Sequence, residues 1–100
     1  MKYRLARRVL SDIEAIGRYV ARDNESAAYR LIEAFFHRMD MLQRVPRAGV
    51  RRDDLGPGYR VVPVGQYLIL YKVGDTRIEV LRVIHGKRNI AKAVRNPDKP

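Results

Sequence analysis

The sequence predicts an α+β domain of order β-α-α-β-β-β, with a helical hairpin packed on one face of a small antiparallel sheet. Three observations carry that expectation. Tyr67-Leu68-Ile69-Leu70-Tyr71 and Ile78 to Ile84 are two apolar runs of strand length, joined across Gly74-Asp75. Two amphipathic helical stretches precede them, separated by about four residues, a join that admits only antiparallel neighbours. Tyr3-Arg4-Leu5 alternates apolar with basic, which is the period of a strand.

The first strand is expected over Lys2 to Ala6. A helix follows from Arg8 to Arg22, because Val9, Ile13, Ile16 and Val20 recur along one stripe. Asp12 and Glu14 lie in its first half, and Arg18 and Arg22 near its end, as the helix dipole favours. Asp23-Asn24 stops this helix and offers the next N-cap. The second helix runs from Ser26 to Arg44, with Ala28, Leu31, Ile32, Phe35, Met39 and Leu42 as its apolar face, and Tyr29 and Phe36 widening it. Pro46 ends it, since proline restricts its predecessor and donates no hydrogen bond. Val45 to Gly58 reads as a basic loop punctuated by proline and glycine.

Tyr59 to Val64 is the next strand, turned by Gly65-Gln66 into Tyr67. Pro63 requires an edge or a bulge there. Gly74 is expected to supply φ > 0 for the last hairpin turn. Both hairpin strands are apolar at consecutive positions, so both faces should be covered at least in part. Ile90, Ala91, Ala93 and Val94 give a weak helical pattern after Arg88. The domain thus spans residues 1–95, and residues 96–100 should fray. The sheet face away from the helices is expected to stay partly open, bordered by basic residues, as a docking surface.

One hundred residues make one core, burying roughly two thirds of the extended chain's surface. No apolar run approaches the ~20 residues of a membrane span, and the opening MKYRLARR, with no apolar stretch behind it, is not expected to be a secretory signal. The absence of cysteine removes disulfides, thiolate zinc sites and cysteine nucleophiles, and fits the cytoplasm. Lys and Arg number 21 against 11 Asp and Glu, a net charge of +10. Such a field attracts a polyanion or an acidic protein and does not choose between them.

His37 and His85 are the only histidines, too few for a metal site, and no cofactor motif is present. His37 reads as ordinary surface or helix packing within the second helix. His85 ends an apolar strand beside Lys87 and Arg88, either as a hydrogen-bonded strand-end residue or as a general acid or base. Arg60, Arg82, Lys87 and Arg88 could converge near the strand ends, where cations would stabilise a phosphorane-like transition state. The alternative is solvated charge. Tyr59, Tyr67 and Tyr71 are expected to be half-buried strand residues, and Tyr19 and Tyr29 to close the helical hairpin.

The Asp12-Ile13…Ile16…Tyr19 spacing, Pro46…Gly49, Gly58-Tyr59-Arg60 and Arg82-Val83-Ile84-His85-Gly86-Lys87-Arg88, in this order, resemble the ParE branch of the RelE/ParE toxin superfamily. The resemblance covers about 85 residues and implies the same β-α-α-β-β-β fold. It implies a ParD-like antitoxin whose acidic C-terminal segment folds over the toxin in a hetero-oligomer. It also implies DNA gyrase as the target, with direct nucleic-acid binding secondary. RelE-like relatives instead cleave messenger RNA on the ribosome. Arg88 and Arg60 match basic positions of those enzymes, but Val62 and Leu68 replace two others and Val94 falls near their C-terminal tyrosine. An apolar Leu68 cannot hold a phosphate, and losing a positioned donor costs on the order of 3 kcal/mol of transition-state stabilisation.

The expected activity is therefore gyrase inhibition without catalytic residues. If the chain were a ribonuclease, Arg60, His85 and Arg88 would serve. The expected toxicity segment is Arg82 to Arg95, through Arg82, His85, Lys87, Arg88, Lys92 and Arg95. The expected antitoxin surface is a groove along the helices and the open sheet face. It would use Tyr19, Tyr29, Leu31, Phe36 and Leu68, with Arg4, Arg8, Arg47 and Arg51 meeting acidic groups.

Overall fold

Among the described residues, helical periodicity and strand alternation resolve into eight elements: β1 Lys2–Leu5, α1 Arg7–Ala21, α2 Glu25–Arg44, β2 Val50–Arg51, β3 Tyr59–Val64, β4 Tyr67–Val73, β5 Arg77–His85 and α3 Ile90–Arg95. The computed structural model describes the backbone of residues 1–95 and the side chains of residues 1–93. The segment expected to fray lies outside the described residues.

The helical hairpin forms as its sequence dictates. Asn24 caps α2, its side-chain oxygen accepting the Ala27 N–H at 3.0 Å. A cap of this kind contributes about 1 kcal/mol. The start of α1 is different: Ala6 offers no side-chain cap, and the first turn carries Arg7 and Arg8 but no acid. That arrangement opposes the dipole, which favours anions at a helix N-terminus.

The sheet has the order β1-β5-β4-β3-β2. The three central strands are antiparallel, but β1 joins β5 in parallel, with Lys2 opposite Arg77 and Leu5 opposite Val80. The sheet is therefore mixed, where the sequence led us to expect one antiparallel throughout; alternation marks β1 as a strand and says nothing of its partner's direction. A two-residue strand, β2, lies inside the expected loop and pairs with Arg60 and Val61. It stops short of Pro63, so β3 is a free edge there and the missing proline N–H leaves no ladder bond unmade. The bulge falls elsewhere, at Leu81, between the pairs Tyr71–Val80 and Leu70–Arg82.

Gly65 turns β3 into β4 with φ of 57°, a left-handed conformation that suits glycine. Gly74 does not adopt positive φ, contrary to expectation; the β4–β5 turn closes through its N–H donating to Arg77 O at 2.9 Å.

Two apolar layers result. Val9, Ile13, Phe35, Met39 and Leu42 of the helices pack on Val62, Ile69, Tyr71, Ile78 and Val80. Burying each large side chain contributes about 1.5–3 kcal/mol, so this layer fixes the hairpin on the sheet. On the other face, Val61, Leu70 and Ile84 pack with Ile90 and Ala93 of α3. The face expected to be open is thus partly roofed by α3.

Candidate functional site

Asp12 lies within the apolar stripe of α1, and Arg82 interrupts the apolar run of β5. The fold brings them together. Arg82 Nε and Nη2 donate to the two Asp12 carboxylate oxygens at 2.8 and 3.0 Å, and the Val83 N–H donates to the same carboxylate at 3.0 Å. Asp12 is 8% exposed and Arg82 3%. Removing two charges from water costs several kcal/mol each, and paired, bidentate geometry is what offsets it. Arg82 is consequently absent from the basic surface where the toxicity segment was expected to present it. Its Nη1 is buried without a hydrogen-bond partner among the described residues.

A groove of about 350 Å³ opens beside this pair, between α1 and the part of β5 that β1 does not reach. Arg8, Ala15 and Ile16 form one wall, Val83 and His85 the other, and Arg88 lies on its rim. Arg8 Nη2 stands 3.9 Å from the Asp12 carboxylate. His85 is half-buried. Its Nδ1 accepts the Lys87 N–H at 3.1 Å, and its ring meets Tyr67 edge-on at 5.3 Å. Tyr67 in turn meets Phe35 edge-on at 5.8 Å. Burial, then the charge of Tyr19, push the Tyr67 phenol above its ordinary pKa. Lys87, Arg88 and Lys92 are exposed beyond the end of β5. The side chain of Arg95 lies outside the described residues, as does that of Val94.

A second, polar cleft of about 400 Å³ holds Arg47, Arg51 and Arg60, with Asp53 and Asp75 on its walls. Arg60 Nη1 donates to the carbonyls of Gly49 at 2.7 Å and Arg47 at 3.3 Å. Arg51 is paired with Asp53 at 2.6 Å. Beneath it Tyr71 ties the loop to the sheet: its hydroxyl accepts the Gly49 N–H and donates to Pro46 O, both at 2.8 Å. Burial raises the Tyr71 pKa, against smaller opposing effects of the Gly49 hydrogen bond and Arg60.

The three residues that a ribonuclease would use are not brought together. Arg60 is paired opposite Tyr71 and His85 opposite Tyr67, positions on the order of 13 Å apart along β4. His85 and Arg88 share the α1–β5 groove, while Arg60 belongs to the other cleft.

The residues expected to meet an antitoxin are dispersed. Tyr19 and Tyr29 are 66% and 70% exposed, so they do not close the helical hairpin and remain available for contact. Leu31 and Phe36 are half-buried against the main core, and Leu68 against the second core on the opposite sheet face. Arg4 is exposed on β1, Arg8 lines the groove, and Arg47 and Arg51 line the polar cleft. His37 is exposed on α2. A partner touching all the candidates has to wrap around the domain. Among the described residues no three His, Cys, Asp or Glu side chains gather as a metal site, and no helix is long and apolar enough to cross a membrane.

Sequence reasoning missed the Asp12–Arg82 pair, whose members are 70 residues apart. A signal existed: opposite charges at two positions that periodicity assigns to the core. It also missed the Tyr71 clamp, although Pro46 and Gly49 had stood out.

The fold and these clefts define a class: a small cationic α+β domain of RelE/ParE-like architecture, with charged surface presented around a mixed five-stranded sheet. A solved chain of the chromosomal ParDE TA system from P. aeruginosa has the same fold, with a TM-score of 0.70 and 23% identity over 85% of this chain and 95% of that one. Residues 3–90 match the family model for the ParE toxin of type II toxin-antitoxin system, parDE, and the chain belongs to that family. Toxin ParE3 of Caulobacter vibrioides is 35% identical over 89 residues, covering 85% of this chain and 86% of that protein. Toxin ParE1 of Mycobacterium tuberculosis is 34% identical over 55 residues, 54% of this chain and 56% of the relative.

Proposed function

We propose that this toxin inhibits DNA gyrase by protein–protein contact and is neutralised by a ParD-like antitoxin with an acidic C-terminal segment. The observation that carries the reading is the distribution of cations. Lys87, Arg88 and Lys92 stand exposed beyond β5, while Arg60 is turned onto backbone carbonyls in a separate cleft. A surface of this kind suits contact with a large target more than a converged phosphate site. The net charge of +10 steers an acidic partner, and the exposed Tyr19 and Tyr29 add apolar area for it. Released from that partner in the bacterial cytoplasm, the toxin arrests gyrase with its DNA broken and blocks replication.

Supercoiling and DNA-cleavage assays with gyrase from the same organism test this. Added toxin should stop supercoiling and accumulate cleaved DNA, and added antitoxin should reverse both. Undiminished supercoiling at excess toxin refutes the gyrase reading. Ribosome-dependent cleavage of messenger RNA, lost in His85→Ala, would replace it with the ribonuclease one.

A further inference from the structure

β1 covers only part of β5. Its register ends at the pair Leu5–Val80, and the chain then turns away into α1. From Leu81 to His85 the outer edge of β5 has no neighbouring strand among the described residues. The alternation of an antiparallel ladder, together with the Val83 N–H bond to Asp12, directs the N–H and C=O of Val83 and His85 away from β4. Two of these four groups are engaged: the Val83 N–H on Asp12, and the His85 C=O, which accepts the Arg88 N–H. The Val83 C=O and the His85 N–H carry no hydrogen bond among the described residues.

That pair of groups has a definite complement. In a parallel ladder one residue donates its N–H to the C=O of residue i and accepts at its own C=O from the N–H of residue i+2. Val83 and His85 stand in that relation. A single residue of a strand running in the direction of β1 would satisfy both. The groove alongside has room for such a segment, with Ala15 and Ile16 as its floor against α1. Arg88 places positive charge along it. The Arg82 guanidinium lines it as well, with its Nη1 lacking an acceptor among the described residues although the side chain is 3% exposed. A buried donor without a partner is uncommon and points to a missing acceptor.

We infer that the β5 edge beyond β1 takes an extended, acidic peptide segment of a partner protein, added as a parallel strand through Val83 C=O and His85 N–H. This rests on the reading above that an acidic partner holds the toxin, and names where part of it sits. Main-chain bonds supply affinity in such strand addition, and the flanking side chains select the sequence. Carboxylates of the segment meet Arg88 and the positive end of the groove.

The probe is an acetylated, amidated hexapeptide, Val-Glu-Val-Asp-Val-Glu, added to the 15N-labelled full chain. The His85 amide should shift and its hydrogen exchange should slow. Ala15→Trp fills the slot from an exposed helix position, and Arg88→Glu reverses the rim charge. Each should weaken binding about tenfold or more, while Arg30→Glu, on the far helix, should not. A peptide with lysine in place of each acid should not bind. Absence of binding at about 1 mM peptide overturns the proposal, as does binding that leaves His85 unmoved or survives Ala15→Trp. Protection of His85 that grows with protein concentration alone assigns the slot to a second copy and also overturns it. The two readings separate cleanly. An antitoxin that neutralises Ala15→Trp as well as the parent, with no peptide binding, sinks this inference and leaves the function. Peptide binding at His85 by a chain that leaves gyrase supercoiling undiminished does the reverse.

Discussion

Replacing Asp12 by alanine removes three acceptor contacts at once: those to Arg82 Nε, Arg82 Nη2 and the Val83 N–H. It leaves a guanidinium that is 3% exposed with no counter-charge from Asp12. Breaking one side of a buried pair costs about 3–5 kcal/mol, because the remaining charge stays desolvated. A domain of this size has about 5–15 kcal/mol in total, so Asp12→Ala consumes a large share. At about 4–8 °C per kcal/mol, the melting temperature should fall by about 12–40 °C. Thermal denaturation followed by circular dichroism measures it. The pair itself contributes far less than its rupture costs, since apolar replacements of buried pairs are often neutral. Asp12→Leu with Arg82→Met should therefore recover most of the loss. A fall below about 5 °C for Asp12→Ala would refute the account, as would a double variant no more stable than the single one.

Other outcomes follow from the same geometry. Tyr71→Phe strands the Gly49 N–H and frees the Pro46 carbonyl, and should cost about 1–3 kcal/mol in urea denaturation. Gly49→Ala would bring a Cβ to 2.6 Å from Val61 O and 2.7 Å from the Tyr71 hydroxyl; it should cost about 1–3 kcal/mol by the same measurement and expel the clamp. Asn24→Ala should cost about 1 kcal/mol and fray the start of α2, seen as faster amide exchange at Ala27. The pKa values of Tyr3, Tyr67 and Tyr71 are raised in the folded chain, chiefly by burial, so the fold favours their neutral form. Their contribution is complete below the unfolded value of about 10 and is lost as pH rises through the folded values. Urea midpoints should thus decline from about pH 9 upward, less steeply in Tyr71→Phe.

The elements that the sequence made legible are those written in local pattern. The apolar runs of β4 and β5 and the two helical stripes are periodic over several turns or strand residues, and Asn24 announces its cap. What stayed hidden depends on partners distant in sequence. Tyr3-Arg4-Leu5 reveals a strand, but only assembly shows that β5 receives it in parallel. β2 is too short to have a period, and it lies in a stretch whose prolines and glycines argue for loop. Arg82 was legible as a cation and misjudged as exposed, because the acid that buries it is carried by α1. For the site, the tyrosines of the helices show the same limit: Tyr19 and Tyr29 extend an amphipathic pattern, yet their positions at the rim of the hairpin leave them in solvent. His85 and Arg88 do meet across one groove, as their proximity in sequence suggested, whereas Arg60 does not join them.

The pairing of the first strand with the last has a bearing on biosynthesis. Lys2 cannot find Arg77 until the segment between them has left the ribosome. At roughly 5–20 residues per second, the growing chain spends several seconds with neither strand able to close the sheet. During that interval the sheet is unfinished. An antitoxin already at hand would meet each new copy as its sheet closes.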